Sequence, residues 1–273
     1  MENVVRIDSA KIDDIWKNHM DELNPEDRII IGRGYCIEEE LPKDGILFLG
    51  MNPSYPDGDK SYITTYKLRD IKDVSLGLHE NESIDKKYWK PIVDAAVRIT
   101  RENIEMQIMQ LKQMLQENTG RKKEDIEREL KRLHHKFERC RQEVEFCHHD
   151  LFFVRETSQN KVLALKANCG DFFTAQWEYS KGIIEKATPK IIIVINGGAG
   201  KLIREELGTD FFGFIPGASW NEECGVDIVK IGERKVPIIF TGMLSSTGRI
   251  NKGTETTLFW NIRHIAKQLK ITF

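Results

Sequence analysis

Through the middle of the chain, apolar residues recur in steps of four and three: Ile104, Ile108, Leu111 and Leu115, then Ile126, Leu130, Leu133, Phe137, Cys140, Val144 and Cys147. That spacing is the seam of a coiled coil, and Arg128, Glu129, Lys131 and Arg132 fall off it. Asn118 and Gly120 between the two runs supply a helix stop and a turn. The pattern predicts an antiparallel helical hairpin over 88–147. Two helices longer than about 25 residues would each reach roughly 35–40 Å. Their stripes pack on each other, or the hairpin serves as an arm for a protein partner or for self-association.

Elsewhere the pattern changes to short unbroken apolar runs at 45–50, 151–154, 191–195 and 237–240, each bounded by Gly, Pro, Asn or charge. Runs without alternation fit strands buried on both faces, as in a parallel sheet covered by helices. Helical patterns fall at 172–187, 199–207 and 257–269. The alternation predicts the α/β class: a three-layer α/β/α domain with a short parallel central sheet, right-handed crossovers and the coiled-coil hairpin inserted. Residues 1–40, with a helix around 9–23, read as a helical appendage. The α/β domain then spans 41–273, interrupted by 88–147.

Composition narrows the class of partner. The 273 residues carry 41 Lys plus Arg against 43 Asp plus Glu, so any phosphate contact needs basic residues grouped on one face. The longest aliphatic stretch, 191–195, is far below the ~20 residues of a membrane span. No cationic segment followed by an apolar run stands at the start, and five cysteines form no dense framework. A cytoplasmic protein with reduced thiols is the expectation.

Ligands of open parallel sheets sit outside the carboxyl ends of the strands. The first run leads into Gly50-Met51-Asn52-Pro53-Ser54-Tyr55-Pro56-Asp57-Gly58. A Gly leaves the strand, a side-chain amide follows, and a proline fixes the turn, so Asn52 is held at the mouth of the sheet. The segment Ile46-Leu47-Phe48-Leu49-Gly50-Met51-Asn52-Pro53-Ser54 resembles the first motif of the uracil-DNA glycosylase superfamily, nearest its mismatch-specific and single-strand-selective branches. The resemblance implies that Asn52 positions the water attacking the sugar carbon, while Gly50, Met51, Pro53 and Ser54 line the base. Pro189-Lys190 with 191–195 and Asn196-Gly197-Gly198-Ala199 is similar to the family's third strand and following turn. Thr241-Gly242-Met243-Leu244-Ser245-Ser246-Thr247-Gly248-Arg249 stands where its second catalytic loop falls.

Two positions depart from the family. Active members commonly place His-Pro-Ser or Asn-Pro-Ser in the second loop, where the His or Asn donates to the base oxygen that gains charge. Met243-Leu244-Ser245 keeps Ser245 alone as a catalytic candidate, and a thioether cannot donate. Losing one such donor typically costs ~10²–10³ in rate. At the second strand, His148-His149-Asp150 puts Asp150 where an Asn reads the uracil edge. An ionised carboxylate only accepts hydrogen bonds, so Asp150 is expected to repel O4 and to suit an edge with two donors, such as that of guanine. Tyr62 or Tyr66 is the expected stacking platform for a flipped base. Ser246, Arg249 and Lys252 are the expected contacts to the DNA backbone.

Other motifs carry less. Asn196-Gly197-Gly198-Ala199-Gly200-Lys201 lacks the first glycine of a P-loop, and Leu202 stands where Ser or Thr would hold magnesium. Cys140 and Cys147 fall on the apolar seam, and no second Cys/His pair completes a zinc site with His148 and His149. No metal or cofactor is expected. The resemblance implies a monofunctional DNA N-glycosylase acting on a flipped, non-uracil base. The alternative is a catalytically impaired relative that binds nucleic acid or nucleotide, with the hairpin as an interaction arm.

Overall fold

A computed structural model describes residues 3–54, 63–78, 85–101, 104–117, 122–244 and 251–273. The chain divides into two units, residues 1–68 with 146–243, and residues 69–145 with 244–273.

The first unit begins with β1 (Val4–Arg6), α1 (Ser9–His19), α2 (Pro25–Ile31), β2 (Tyr35–Glu38) and β3 (Glu40–Pro42). The fully buried β4 (Ile46–Gly50) follows, then β5 (Ile63–Tyr66). The second unit contributes α3 (Leu68–Leu76), α4 (Lys86–Thr100), α5 (Ile104–Gln116) and α6 (Lys123–Glu143). The first resumes with β6 (Phe146–Asp150), α7 (Gln159–Asn168), α8 (Gly170–Ala187), β7 (Ile191–Val194) and α9 (Gly197–Leu202). It ends with β8 (Trp220–Asn221), β9 (Val226–Ile231) and β10 (Arg234–Phe240), and α10 (Lys252–Gln268) returns to the second unit.

The main sheet has the order β6-β4-β7-β10-β9-β8. The pairs β6/β4, β4/β7 and β7/β10 are parallel, whereas β10/β9 and β9/β8 are antiparallel. The sheet is therefore mixed, and its two antiparallel strands were not among the runs read from sequence. In Val226–Ile231 Asp227 and Lys230 interrupt the apolar residues, so it shows no unbroken apolar run.

Register separates the faces. Leu47, Leu49, Cys147, Ile192, Val194, Val236 and Ile238 share one core with Phe172, Phe173 and Trp177 of α8 and Leu202 of α9. That core also takes in Ile12, Trp16, Ile31 and Tyr35, with Trp16 edge-on to Phe172 at 4.8 Å. The segment 1–40 is thus built into the unit rather than appended to it, and β1 pairs with β3.

The second strand is displaced from its expected place. Helix α6 stops at Glu143, Val144 is extended, and the strand runs Phe146–Asp150, not 151–154. Cys147 therefore belongs to β6 and not to a helical seam. Residues 151–153 continue beside the chain leaving β4, with Leu151 N–H on Gly50 O at 3.1 Å and Phe152 N–H on Met51 O at 2.9 Å. Fully buried Gln176 of α8 holds this stretch, its Oε1 accepting from Phe153 N–H at 2.9 Å and Val154 N–H at 3.2 Å.

The helical unit also differs from the expected hairpin. Helices α5 and α6 pack together through Ile104, Ile108, Leu111, Ile126 and Leu133, but they are 13 and 21 residues long. The long first helix is divided at Arg101, which leaves helical backbone. From Ile99 to Ile104 the seam steps by five residues, a phase error of about 140° that one straight helix cannot bury on one face. Helix α4 packs on α6 and α10, so α10 covers a helix of its own unit. No described helix is long and apolar enough to cross a membrane.

Gln176→Ala leaves two buried N–H groups without an acceptor. At about 1–3 kcal/mol for each, it should lower stability by roughly 2–6 kcal/mol in urea unfolding. A loss below 1 kcal/mol would show that the amide does not hold the strand.

Candidate functional site

The strand order places a switch point at the carboxyl ends of β4 and β7. From β4 the chain moves outward to β6, then crosses back to β7 on the other side. Crevices at such points are the ligand sites of open α/β sheets. Residues 51–54 leave β4 here and 195–198 leave β7. The two exits touch: a side chain on Gly198 would place its Cβ 2.7 Å from Met51 Sδ and 2.7 Å from Gln159 Oε1. A side chain at 198 would push the Met51 and Gln159 side chains aside. Met51 itself is fully buried, whereas Asn52 and Pro53 are half-buried and Ser54 is exposed.

Asn52 is fixed by the chain that follows β6. Its Nδ2 donates to Glu156 O at 2.6 Å, Pro53 O at 3.0 Å and, more weakly, Val154 O at 3.4 Å. Three carbonyls facing one end of the amide settle its orientation, because an oxygen turned towards them would be repelled. Among the described residues Oδ1 has no hydrogen-bond partner, so it is left as an acceptor. Glu156 closes the clasp. Its N–H donates to Pro53 O, its carboxylate pairs with Arg33, and the same carboxylate accepts from Ser158 N–H at 2.9 Å.

Beside this clasp lies a group of titratable side chains, of which Glu38, His148 and His149 are buried and Asp150 half-buried. Gly50 faces Asp150 across the β4/β6 pair, and Asp150 Oδ1 occupies the space a side chain at 50 would need, 2.0 Å from an ideal Cβ. His148 Nε2 lies 3.7 Å from that same point. Glu38, 3% exposed, accepts from His148 N–H at 3.4 Å, while its Oε1 is buried without a hydrogen-bond partner.

Burial pushes Asp150 up to about 7. Burial also raises Glu38 well above the carboxylate range, and the Asp150 charge adds to that rise against the lowering effect of the His148 N–H. Burial drives both His148 and His149 down to about 3, so both rings are neutral near pH 7. On the opposite face, Ser180 Oγ gives its proton to Asp150 O at 3.1 Å, so His149 Nε2, 2.8 Å away, carries the proton shared with Ser180.

This changes the expected chemistry of Asp150. The sequence reading takes it as an ionised acceptor. With an apparent value about 7, it is largely protonated below neutrality and then offers one O–H donor beside one C=O acceptor, the same pair an Asn presents.

Of the other expected site residues, Tyr66 is buried on β5, opposite Glu38 in the β2/β5 pair, and is not an open stacking face. Tyr62, Ser245, Ser246 and Arg249 lie outside the described residues. Lys252 opens α10, and its side chain is likewise outside them. Thr241, Gly242 and Met243 follow β10 half-buried, with Thr241 N–H on Val194 O at 2.9 Å. A cavity of about 220 Å³ lies between α7 and α9, reaching Gly198 and floored by Leu163 and Leu202. Lys166 and Glu206 pair across its mouth.

Glu38, Glu156 and Arg33 carry no signal in the sequence, where Glu38 and Asp150 are 112 positions apart and nothing in spacing links them. In the sequence the two histidines carry no signal beyond an incomplete metal-ligand set. Among the described residues no group of three His, Cys, Asp or Glu is placed to hold a metal ion.

A His149→Gln variant isolates one of these burial effects. The neutral ring is favoured in the folded state, so its stabilisation is present above about pH 6.5 and lost as pH falls towards 3. Relative to the variant, the wild type should lose about 1.4 kcal/mol per pH unit between roughly pH 6 and 4 in urea unfolding. A difference independent of pH would contradict a buried neutral His149.

No family model matches the chain, and neither a curated protein nor a solved structure matches it significantly.

Proposed function

We propose that the chain hydrolyses the N-glycosidic bond of a base turned out of DNA, with Asn52 orienting the attacking water. The observation carrying this reading is the Asn52 amide, whose nitrogen is held by three carbonyls and whose oxygen is left as an acceptor at the switch point. An acceptor immobilised in this way holds a water by one of its protons and aims its lone pair without reorganisation. The resemblance of Gly50-Met51-Asn52-Pro53-Ser54 to the uracil-DNA glycosylase superfamily points to the same role. A partly protonated Asp150 next to Gly50 suits a base edge that offers one acceptor and one donor, as uracil does at O4 and N3–H. Above neutrality its ionised form favours edges with two donors, such as guanine or a related purine. The reaction as proposed needs no metal or redox cofactor.

A second reading is favoured by the exit of β10, where Met243 offers no donor and Leu244 is buried. It makes the chain a nucleic-acid binding module that retains the crevice without the reaction.

A panel of oligonucleotides bearing uracil, hypoxanthine, xanthine or mismatches separates the two readings by alkali-labile strand breaks. The glycosylase reading expects breaks with the wild type and a fall of at least about 100-fold with Asn52→Ala. Binding measured by fluorescence anisotropy should change by less than about threefold. Binding without breaks in the wild type supports the module, and unchanged breaks with Asn52→Ala remove Asn52 from the mechanism.

A further inference from the structure

We propose that Asp150 is the general acid of this crevice and that Glu38 is its positioning residue, which keeps water and counter-charge away from the Asp150 carboxyl over Gly50. The inference rests on the glycosidic reading for the destination of the proton, but its geometry stands independently. The missing side chain of Gly50 makes the recess, since Asp150 Oδ1 lies where a Cβ would have to be. Glu38 on β2 packs against the same strand, its carboxylate accepting from His148 N–H at 3.4 Å and feeling the Asp150 charge, 3% exposed and with one carboxyl oxygen buried without a hydrogen-bond partner.

Among the described residues, the titratable groups around Asp150 are Glu38 on β2 and His148 and His149 on β6; β4 presents the bare Gly50 backbone, and α8 presents Ser180. Both histidines are held neutral, at about 3, and a protonated Glu38 is neutral as well. None of these groups supplies a positive charge to stabilise a carboxylate, so the acid keeps its proton into the neutral range. Ser180 Oγ anchors the Asp150 backbone from the opposite face and fixes where the carboxyl starts.

The position supplies what the exit of β10 lacks. Met243 has no proton to give to a departing base, and Asp150 sits two residues across from Asn52 on the neighbouring strand end. In the step proposed, water oxygen forms a bond to the sugar carbon while the carbon–nitrogen bond breaks, its electron pair leaving with the base. The Asp150 O–H proton passes to the base at a ring nitrogen or carbonyl oxygen. The attacking water then loses its own proton to the Asp150 carboxylate, which restores the acid. Asn52 accepts a hydrogen bond from the water throughout and exchanges no proton. One water is consumed, and the free base and sugar hydroxyl are formed.

The test has two independent arms on the full-length chain. In the first, the Asp150 carboxyl carbon is titrated by ¹³C NMR in the wild type, Glu38→Ala and Glu38→Gln, without substrate. The wild-type midpoint should lie near 7. Glu38→Ala, which admits water to the recess, should lower it by at least one pH unit, and the neutral, similarly shaped Glu38→Gln should restore it. A wild-type midpoint near the ordinary value of about 4 overturns the acid assignment. A midpoint unmoved in Glu38→Ala overturns the role of Glu38.

In the second arm, base release is followed from pH 5 to 9 on whichever oligonucleotide the wild type cleaves. The wild-type rate should fall tenfold per pH unit above the carboxyl midpoint. Asp150→Asn, which has the same shape but no transferable proton, should lose at least about 100-fold in rate and lose that pH limb. Its unfolding midpoint at neutral pH should be no lower than that of the wild type, because the raised carboxyl releases its proton on unfolding and an amide has none to release. Retention of the limb in Asp150→Asn overturns the general-acid role. Absence of base release from the wild type overturns the hydrolytic reading and the proton's destination together, while the NMR arm separately decides whether the carboxyl keeps its proton.

Discussion

The parallel pairing of β4 with β6, extended past the ends of both strands, is the constraint on which the candidate site depends. It sets Gly50 opposite Asp150 and then hands Gly50 O, Met51 O and Pro53 O to the N–H groups of Leu151, Phe152 and Glu156. A slip of one residue would bring a side chain from the other face opposite Gly50, because successive residues of a strand alternate between faces. His149 would then leave Ser180, and the recess over Gly50 would lose its carboxyl. Gln176 guards against that slip, since its amide oxygen takes two consecutive N–H groups of the continuing chain.

Two opposed effects of burial meet at this pairing. The same dry surroundings that discharge His148 and His149 keep protons on Asp150 and Glu38. Desolvation acts against whichever form is charged, so bases and acids on one strand are all driven towards neutrality. In the folded state the histidines weaken with acid, while the carboxyls weaken as pH rises through their raised values. The His149 loss runs from about pH 6.5 down towards 3 and the Asp150 loss from about pH 4 up towards 7, so the two overlap and oppose each other between about pH 4 and 6.5. An acid that remains protonated near neutrality at the end of a strand is also the kind of group that catalytic sites employ.

Several parts of this arrangement were legible in the sequence for physical reasons. The unbroken apolar runs that became β4 and β7 are buried on both faces, and that leaves a strong local signal. Asn52 was legible because Gly, Asn and Pro in succession leave a strand in few ways. Other parts left no local trace. Phe146–Asp150 carries two histidines and an aspartate, so it does not look like a buried strand until the helix before it has ended. The seam from Ile104 ran on through Val144 and Cys147 with the same spacing, and nothing in that spacing marks where helix gives way to strand. Glu38 and Glu156 act across the fold, and contacts between distant segments are set by tertiary packing rather than by any motif. The N-terminal segment looked peripheral because Trp16, which packs on Tyr35, has its other partner, Phe172, on α8, far along the chain.

The central claim is that the Asn52 amide is clamped through its nitrogen, with its oxygen left as an acceptor without a partner among the described residues. Hydrogen exchange of the Asn52 side-chain NH₂, followed by NMR on the free protein, tests this most directly. The clamp predicts two well-separated amide protons that exchange far more slowly than those of an exposed asparagine such as Asn261. Exchange at the rate of Asn261 would show a freely turning amide and would contradict the account.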